Sequence, residues 1–267
     1  MELRPFLDLA VETAYEAGRL TLGYFRTGAA RPEFKGDETP VTVADREAER
    51  LIRGRIRGRY PGHGIVGEEY GDEGGSDGTA DGLRWIVDPI DGTKAFVRGV
   101  PLYAVLIGLE VEGVCEVGAA YFPALDEMVC AATGEGCFAN GRRARVSDTA
   151  RLRDGIACFT DAKGFDKYGR RGEWLRVLSA AGDARGWSDA YGHALVATGR
   201  ADLMLEPALN PWDAAPFPPI LREAGGVFCD WSGRETIYAD EGLSTTPKLL
   251  PEVLRLIEGG DEDAAGA

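Results

Sequence analysis

The segment from Trp85 to Phe96 reads W-I-V-D-P-I-D-G-T-K-A-F and is the most chemically informative stretch of the chain. An apolar run stops at Asp88, and Asp-Pro and Asp-Gly steps follow at once. Two carboxylates three residues apart, Asp88 and Asp91, are therefore expected at the mouth of a strand, with the carbonyl of Ile90 between them. Hard cations such as Mg²⁺ take oxygen ligands, commonly one or two carboxylates together with waters. Gly92 and Thr93 come next and could begin a helical turn, whose free N–H groups suit a phosphate. Taken alone, the same segment also reads as a tight turn that uses Asp, Pro and Gly for their backbone preferences.

Further acids stand elsewhere. Glu68 and Glu69 close a predicted short strand, where adjacent glutamates are often no more than a solvated surface. Asp213 follows Trp212 at a predicted helix start, a position where Asp is a good N-cap. Asp45 lies near the start of another predicted helix and is favourable there for dipole reasons alone.

Placing these groups requires a particular run of elements. Leu3, Phe6, Leu7, Ala10, Ala14, Ala17, Leu20 and Tyr24 recur at helical spacing, which predicts an amphipathic helix over 3–26. Lys35 to Pro40 has loop chemistry, and a second helix is predicted from Thr42 to Tyr60. Ile65 and Val66 form a strand that delivers Glu68, and the Gly/Asp/Ser-rich stretch 71–82 reads as a mobile loop. Leu83 to Val87 reads as a buried strand, followed by strands over 103–111, 115–121 and 128–132. The second half alternates: strand 156–160, helix 172–182, strand 184–187, helix 190–199, strand 202–205, a helix ending near Ala224, strand 226–229 and helix 247–258. Layers of sheet and helix around a shared site are the expected outcome.

Composition narrows the function classes. The 267 residues carry 30 basic and 44 acidic side chains, a formal charge of −14, which argues against a nucleic-acid or anionic-membrane surface. An acidic protein that handles a phosphate ester needs bound cations, or a positive group on the substrate, to overcome repulsion. No apolar run reaches the length of a membrane span, and the N-terminus lacks a signal-peptide core. Five cysteines without a CxxC spacing fit a reduced, cytoplasmic protein better than a disulfide framework.

Three elements in order, Gly67-Glu68-Glu69, Asp88 to Thr93 (DPIDGT) and Trp212-Asp213, resemble the hallmarks of the inositol monophosphatase family of metal-dependent phosphatases. The segment from Lys35 to Asp45 and that from Arg222 to Gly226 look like the family's as well. The resemblance spans about residues 3–258, which implies one phosphatase domain over 1–258 with sub-regions near 1–150 and 151–258. Residues 259–267 read as a disordered tail. It implies an α/β fold, the αβαβα sandwich of the inositol monophosphatase and fructose bisphosphatase type. It also implies two to three Mg²⁺ ions per site. Glu68, Asp88 and the Ile90 carbonyl would hold one ion, and Asp88, Asp91 and Asp213 a second. Glu68 would help a weaker third. Gly92 and Thr93 would bind phosphate through backbone N–H groups, and the Thr93 hydroxyl, paired with Asp45, would orient the attacking water. A homodimer is also what the family leads one to expect.

The substrate is read from finer marks. Lys94 to Pro101 (KAFVRGVP) looks more like the histidinol-phosphatase branch than the inositol-type members. Lys94 alone also occurs in the branch acting on 3′-phosphoadenosine 5′-phosphate, so the RG-x-P continuation is the better marker. Glu206 matches a family position facing the substrate's alcohol portion, and Asp91 and Asp213 border the same space. Asp189 falls where histidinol-phosphatase members have Asp. A carboxylate facing an ammonium gains a charge-assisted hydrogen bond, which makes Asp189 apt for an aminated substrate; as an alternative, Asp189 N-caps the 190–199 helix. Histidinol phosphate is the expected ester, with a broad-specificity inositol monophosphatase as the alternative. A bisphosphate-acting enzyme or a non-catalytic relative ranks lower. His63 reads as a surface turn residue and His193 as a helix-face residue without a role. Pro216, Pro218 and Pro219 cannot sit inside a regular helix and threaten the placement of Asp213.

Overall fold

The computed structural model describes residues 1–28, 33–34, 40–74 and 82–259. Helix α1 (Arg4–Leu22) forms because Phe6, Leu7, Ala10, Ala14, Ala17 and Thr21 fall on one buried face. A short ribbon of β1 (Glu33–Phe34) and β2 (Pro40–Val41) leads to helix α2 (Val43–Arg59). This helix starts with a reciprocal cap. The Thr42 hydroxyl accepts the Ala44 N–H, while Asp45 Oδ2 accepts the Thr42 N–H at 2.8 Å.

Strands β3 (Gly64–Gly67), β4 (Gly71–Glu73), β5 (Leu83–Asp91), β6 (Ala104–Val111), β7 (Val114–Phe122), β8 (Glu127–Ala132), β9 (Gly136–Ala139) and β10 (Arg142–Arg143) build the first sheet. Its order is β10-β9-β8-β7-β6-β5-β3-β4, antiparallel apart from the β3–β5 pair. The short helix α3 (Thr93–Val97) follows β5. Strands β11 (Ile156–Phe159), β12 (Asp183–Arg185), β13 (Leu203–Glu206), β14 (Val227–Cys229) and β15 (Gly242–Thr245) form a second sheet in the order β12-β11-β13-β15-β14. Between them run α4 (Ala162–Lys167), α5 (Arg171–Ala180), α6 (Ala190–Ala197), α7 (Pro211–Ala214) and α8 (Phe217–Glu223), and α9 (Leu250–Glu258) closes the described chain.

The layering follows from period-two alternation along the strands. Trp85, Val87, Val105, Ile107, Val117 and Tyr121 point to one face of the first sheet, where they pack on Phe6, Ala10 and Ala14 of α1 and Ile52 and Ile56 of α2. Ile86, Leu106, Ala120 and Phe122 point the other way, onto Ala194 of α6 and Phe217, Ile220 and Leu221 of α8. Met204 and Phe228 of the second sheet join that same apolar cluster. The far face of the second sheet, Ala157, Leu203, Leu205 and Leu243, is covered by Trp174 and Val177 of α5 and Val253 and Ile257 of α9. The stack therefore runs α, β, α, β, α. Each large apolar side chain buried in it contributes about 1.5–3 kcal/mol relative to exposure.

Several expectations need correction. The strand carrying Asp88 does not stop there but continues to Asp91. The 71–82 stretch opens as edge strand β4, while residues 75–81, residues 35–39 of the predicted 35–40 loop and residues 260–267 of the predicted 259–267 tail lie outside the described residues. Strands β9 and β15 and helix α4 are absent from the sequence reading. The first two start on glycine, and Ser244 and Thr245 of β15 are buried polar residues that break any apolar pattern. The α4 segment is only six residues long, started by the Asp161 side chain accepting the Lys163 N–H. The proline-rich segment is accommodated by ending α7 at Ala214 and restarting at Phe217, so Pro218 and Pro219 occupy the first turn of α8, where an N–H is not needed.

Candidate metal and phosphate site

Asp88 and Asp91 are an odd number of residues apart, and in a regular strand their side chains would leave opposite faces. The pairing of β5 with β6 shifts between them. Asp88 faces Leu106 and Asp91 faces Ala104, so three steps on β5 match two on β6. The extra residue makes a bulge, for which Pro89 is suited because it has no N–H to lose. Both carboxylates then turn to the same side, and with Asp213 they place one oxygen each within 4.8 Å of one another. Asp88 Oδ1 also accepts the Ile90 N–H at 2.9 Å, which fixes its rotamer.

The other ligand candidates arrive from different elements. Asp213 is not an N-cap but the third residue of α7. Its Oδ2 accepts the Asn210 N–H at 2.8 Å and the Asn210 side-chain amide at 3.1 Å. Glu68 lies just past β3 and lines the same cavity. Its turn is tied from beneath by Glu49, a fully buried acid on α2, which accepts the Glu69 N–H at 2.8 Å and the Tyr70 N–H at 3.2 Å. Arg53 neutralises Glu49 at 2.8 Å and donates to the Gly71 carbonyl at 2.6 Å. Sequence reasoning missed Glu49 and Arg53. The signal was there, because both fall on the apolar face of α2 beside Ala48, Ile52 and Ile56. Charges on a buried stripe mark an internal pair.

Gly92 adopts φ 76° and ψ 41°, a left-handed conformation open to glycine at little cost, and it starts α3. A Cβ here would meet the Leu102 carbonyl at 3.1 Å and Asp189 Oδ2 at 3.2 Å. The Thr93 hydroxyl donates to the Ile90 carbonyl at 3.1 Å, not to Asp45. The expected Thr93–Asp45 pair is thus not made in this structure. Asp45 is fully buried behind the segment, its neighbour Ala44 packing in one small cluster with Ile90 and Phe96. Its Oδ2 takes both donors of Thr42, and its Oδ1 has no partner among the described residues.

The alcohol side of the cavity differs from expectation in detail. Asp189 precedes α6, yet its side chain makes no capping bond. The Ala190 N–H is instead accepted at 2.9 Å by Asp91 Oδ2, which ties the first sheet to α6. Asp189 has φ 55° and ψ −151°, a region that non-glycine residues rarely occupy. Glu206 is buried at the end of β13, bonded to the Thr160 hydroxyl through Oε1 and to His193 through Oε2. His193 is therefore an interior residue with a partner on each ring nitrogen, contrary to its reading as a plain helix-face residue. His63 stacks on Tyr60 and accepts from the Trp85 indole N–H at 3.1 Å.

Glu68, Asp88, Asp91, Asp189, Glu206 and Asp213 line one cavity of about 570 Å³. Burial pushes Asp88 well above the usual carboxylate range, and the charges of Glu68, Asp91 and Asp213 push the same way. Asp91 is likewise raised by burial and then by Asp189 and Asp213. Burial lifts Asp213 to about 7, against the opposing Asn210 N–H bond. Asp189 is lifted to about 6 by burial and the Glu206 charge, with Ser188 and Lys94 opposing. Buried acids that repel one another suit the binding of a cation, since buried charges are paired or coordinate metals. The donor set is all oxygen and so suits a hard divalent ion.

The sequence profile described as the inositol monophosphatase family matches residues 2–259. The chain is 42% identical to a histidinol-phosphatase of Chlorobaculum parvum, covering 98% of this chain and 100% of that one. It is 38% identical to an inositol-1-monophosphatase of Mesorhizobium japonicum over 93% and 94% of the two chains. The solved structure of an inositol monophosphatase from Anabaena superposes with a TM-score of 0.85 at 29% identity, covering 100% of both chains.

Proposed function

The chain belongs to the inositol monophosphatase family and is a phosphoric monoester hydrolase, and from that premise we propose that it converts L-histidinol phosphate to L-histidinol and phosphate. The observation that carries this reading is the pair of carboxylates, Asp189 and Glu206, on the wall of the cavity that also holds the Asp88–Asp91–Asp213 cluster. A polyol phosphate offers such acids only hydroxyls. An aminated alcohol offers an ammonium, and a charge-assisted hydrogen bond is roughly twice as strong as a neutral one. The name borne by the Chlorobaculum relative supports the same reading.

Within this proposal, Asp88, Asp91 and Asp213, with Glu68 and the Ile90 carbonyl, would hold two to three Mg²⁺ ions. Bound there, Mg²⁺ supplies neutralisation of phosphate charge and activation of a water for in-line attack. The chain's own residues do the rest. Gly92 and Thr93 present backbone N–H groups to the phosphate. The Thr93 hydroxyl would turn from the Ile90 carbonyl to Asp45 Oδ1, which has no partner among the described residues, and the pair would orient the attacking water. Asp45, lifted to about 7 chiefly by burial, is then able to hold or release a proton near neutrality. Asp189 and Glu206 orient the alcohol portion of the ester.

The test is phosphate release from L-histidinol phosphate and from inositol 1-phosphate, with Mg²⁺, a chelated control and Asp189→Ala. A Mg²⁺-dependent preference for histidinol phosphate that Asp189→Ala removes is the expected result. Equal turnover of both esters would replace the reading with that of a broad-specificity inositol monophosphatase, which the Mesorhizobium relative's name favours.

A further inference from the structure

The two acids on the alcohol side are joined by a chain of hydrogen bonds that runs from the cavity into the interior. Ser244 Oγ on β15 lies 2.7 Å from His193 Nδ1, and His193 Nε2 lies 2.9 Å from Glu206 Oε2. On the other side of Glu206, the Thr160 hydroxyl donates to Oε1 and accepts the Asp189 N–H at 2.9 Å. His193 is 1% exposed and Glu206 5%. The imidazole is also wedged between Phe217, at 4.7 Å between ring centres, and Phe228, at 5.7 Å. An ionised carboxylate only accepts hydrogen bonds, so His193 Nε2 must carry a proton. In the neutral ring, Nδ1 then takes the Ser244 proton.

Nothing in the hydrolysis step uses His193. The carboxylate cluster and the Gly92–Thr93 segment are bonded to other groups, and the imidazole touches the cavity only through Glu206. Its geometry suits another task. A free glutamate has several rotamers, and freezing one upon binding costs affinity; a glutamate gripped at both oxygens is already frozen. Each carboxylate oxygen keeps a second lone pair for a ligand. Asp189 sits in a backbone region that persists only where its surroundings impose it. The Thr160 oxygen on its N–H is part of that imposition.

We propose that His193 is a positioning residue which, with Ser244 behind it and Thr160 on the other oxygen of Glu206, fixes the Glu206 carboxylate beside Asp189 as a rigid receptor for a cationic amine on the substrate alcohol. The proposal rests on the aminated-ester reading above and adds what enforces the preference. It predicts a loss of discrimination when the chain of bonds is cut at His193, because Glu206 then keeps only the Thr160 bond and its carboxylate is no longer held at both oxygens.

The experiment compares kcat and KM for L-histidinol phosphate and for glycerol 2-phosphate, which has no cation, using the full Mg²⁺-loaded chain. Wild type, His193→Ala, His193→Gln and Ser244→Ala are measured side by side. The ratio of the two kcat/KM values is expected to fall about tenfold in His193→Ala, mostly through KM for the aminated ester, as loss of one charge-assisted hydrogen bond implies. Ser244→Ala should lower it by about threefold, the effect of freeing the imidazole without removing it. His193→Gln, whose amide still donates to Glu206, should recover part of the ratio. Should His193→Ala not fold, Ser244→Ala and His193→Gln carry the same comparison. Equal losses on both esters, with the ratio at its wild-type value, would reduce His193 to a packing role and overturn the proposal. A wild type without preference for the aminated ester would instead sink the substrate reading, and the proposal with it.

Discussion

Replacing Asp45 by Asn removes a buried acid that has two donors on one oxygen and no partner on the other among the described residues. Burial is the main reason its pKa stands at about 7 in place of 3.8, and Glu69 adds to the effect while the Thr42 bonds oppose it. Because the folded pKa exceeds the unfolded one, the native state holds this proton more tightly. The wild type therefore loses stability as pH rises from near 3.8 to about 7, and no more above that. At about 1.4 kcal/mol per pH unit, the penalty at pH 8 exceeds that at pH 5 by roughly 3 kcal/mol. Asn is close in shape to the neutral acid, keeps an oxygen for the Thr42 N–H, and carries no such penalty. The stability of Asp45→Asn relative to wild type should thus improve by roughly 3 kcal/mol between these pH values, about 6–12 °C in Tm for a chain of this size. The assay is thermal and urea unfolding of both proteins in chelator across that range. Asp88, Asp91 and Asp213 also titrate, but they are common to both proteins and drop out of the difference. Turnover of the variant should fall by about 10²-fold or more if Asp45 serves as a proton acceptor in the site. A stability difference that stays constant with pH would refute the reasoning, because it would mean that Asp45 is not a raised, buried acid.

Two further outcomes follow from the geometry. A Cβ at Gly118 would lie 2.8 Å from Pro216 Cα, and closer still to the Pro216 carbonyl oxygen, so Gly118→Ala must push the α7–α8 junction outward. About 1–3 kcal/mol of overpacking is expected, and Asp213, three residues before Pro216, should move with it. A lower Tm together with a weaker Mg²⁺ dependence of turnover checks this, and an unchanged Mg²⁺ dependence would show that Asp213 is held independently. Asp189→Gly should be more stable than Asp189→Ala by about 1–3 kcal/mol in chemical unfolding, since only glycine relaxes at φ 55°. Equal stabilities would mean that the backbone there is unstrained.

Much of the site could be read from residue order. Oxygen ligands beside a Gly-Thr turn, Glu68 at a strand end and Asp213 beside Trp212 imply divalent-metal phosphate chemistry, and Asp88, Asp91 and Asp213 do meet in space. The helices α1 and α2 were equally legible, because a stripe of Ala, Ile and Leu at three- and four-residue spacing has one stable solution, burial against a sheet. Short elements were not. A strand such as β15, with Ser244 and Thr245 in its interior, carries no periodic apolar signal, because its polar groups are satisfied by partners distant in sequence.

The order of three short motifs was therefore enough to show the family by resemblance, and the helix and strand periodicities were enough for the layers, since which faces must be buried is a local property. The contacts within the site were set by folding. A single-residue bulge turned Asp88 and Asp91 to one side, and Asp91, not Asp189, capped α6 across 99 positions of sequence. Thr93 turned away from Asp45, while Glu49 and His193 became buried anchors beneath Glu68 and Glu206. Each of these depends on which donor reaches which acceptor, and a hydrogen bond is decided by distances of a few tenths of an ångström. Such distances are set by how two sheets and their helices pack together, and a residue order does not carry them.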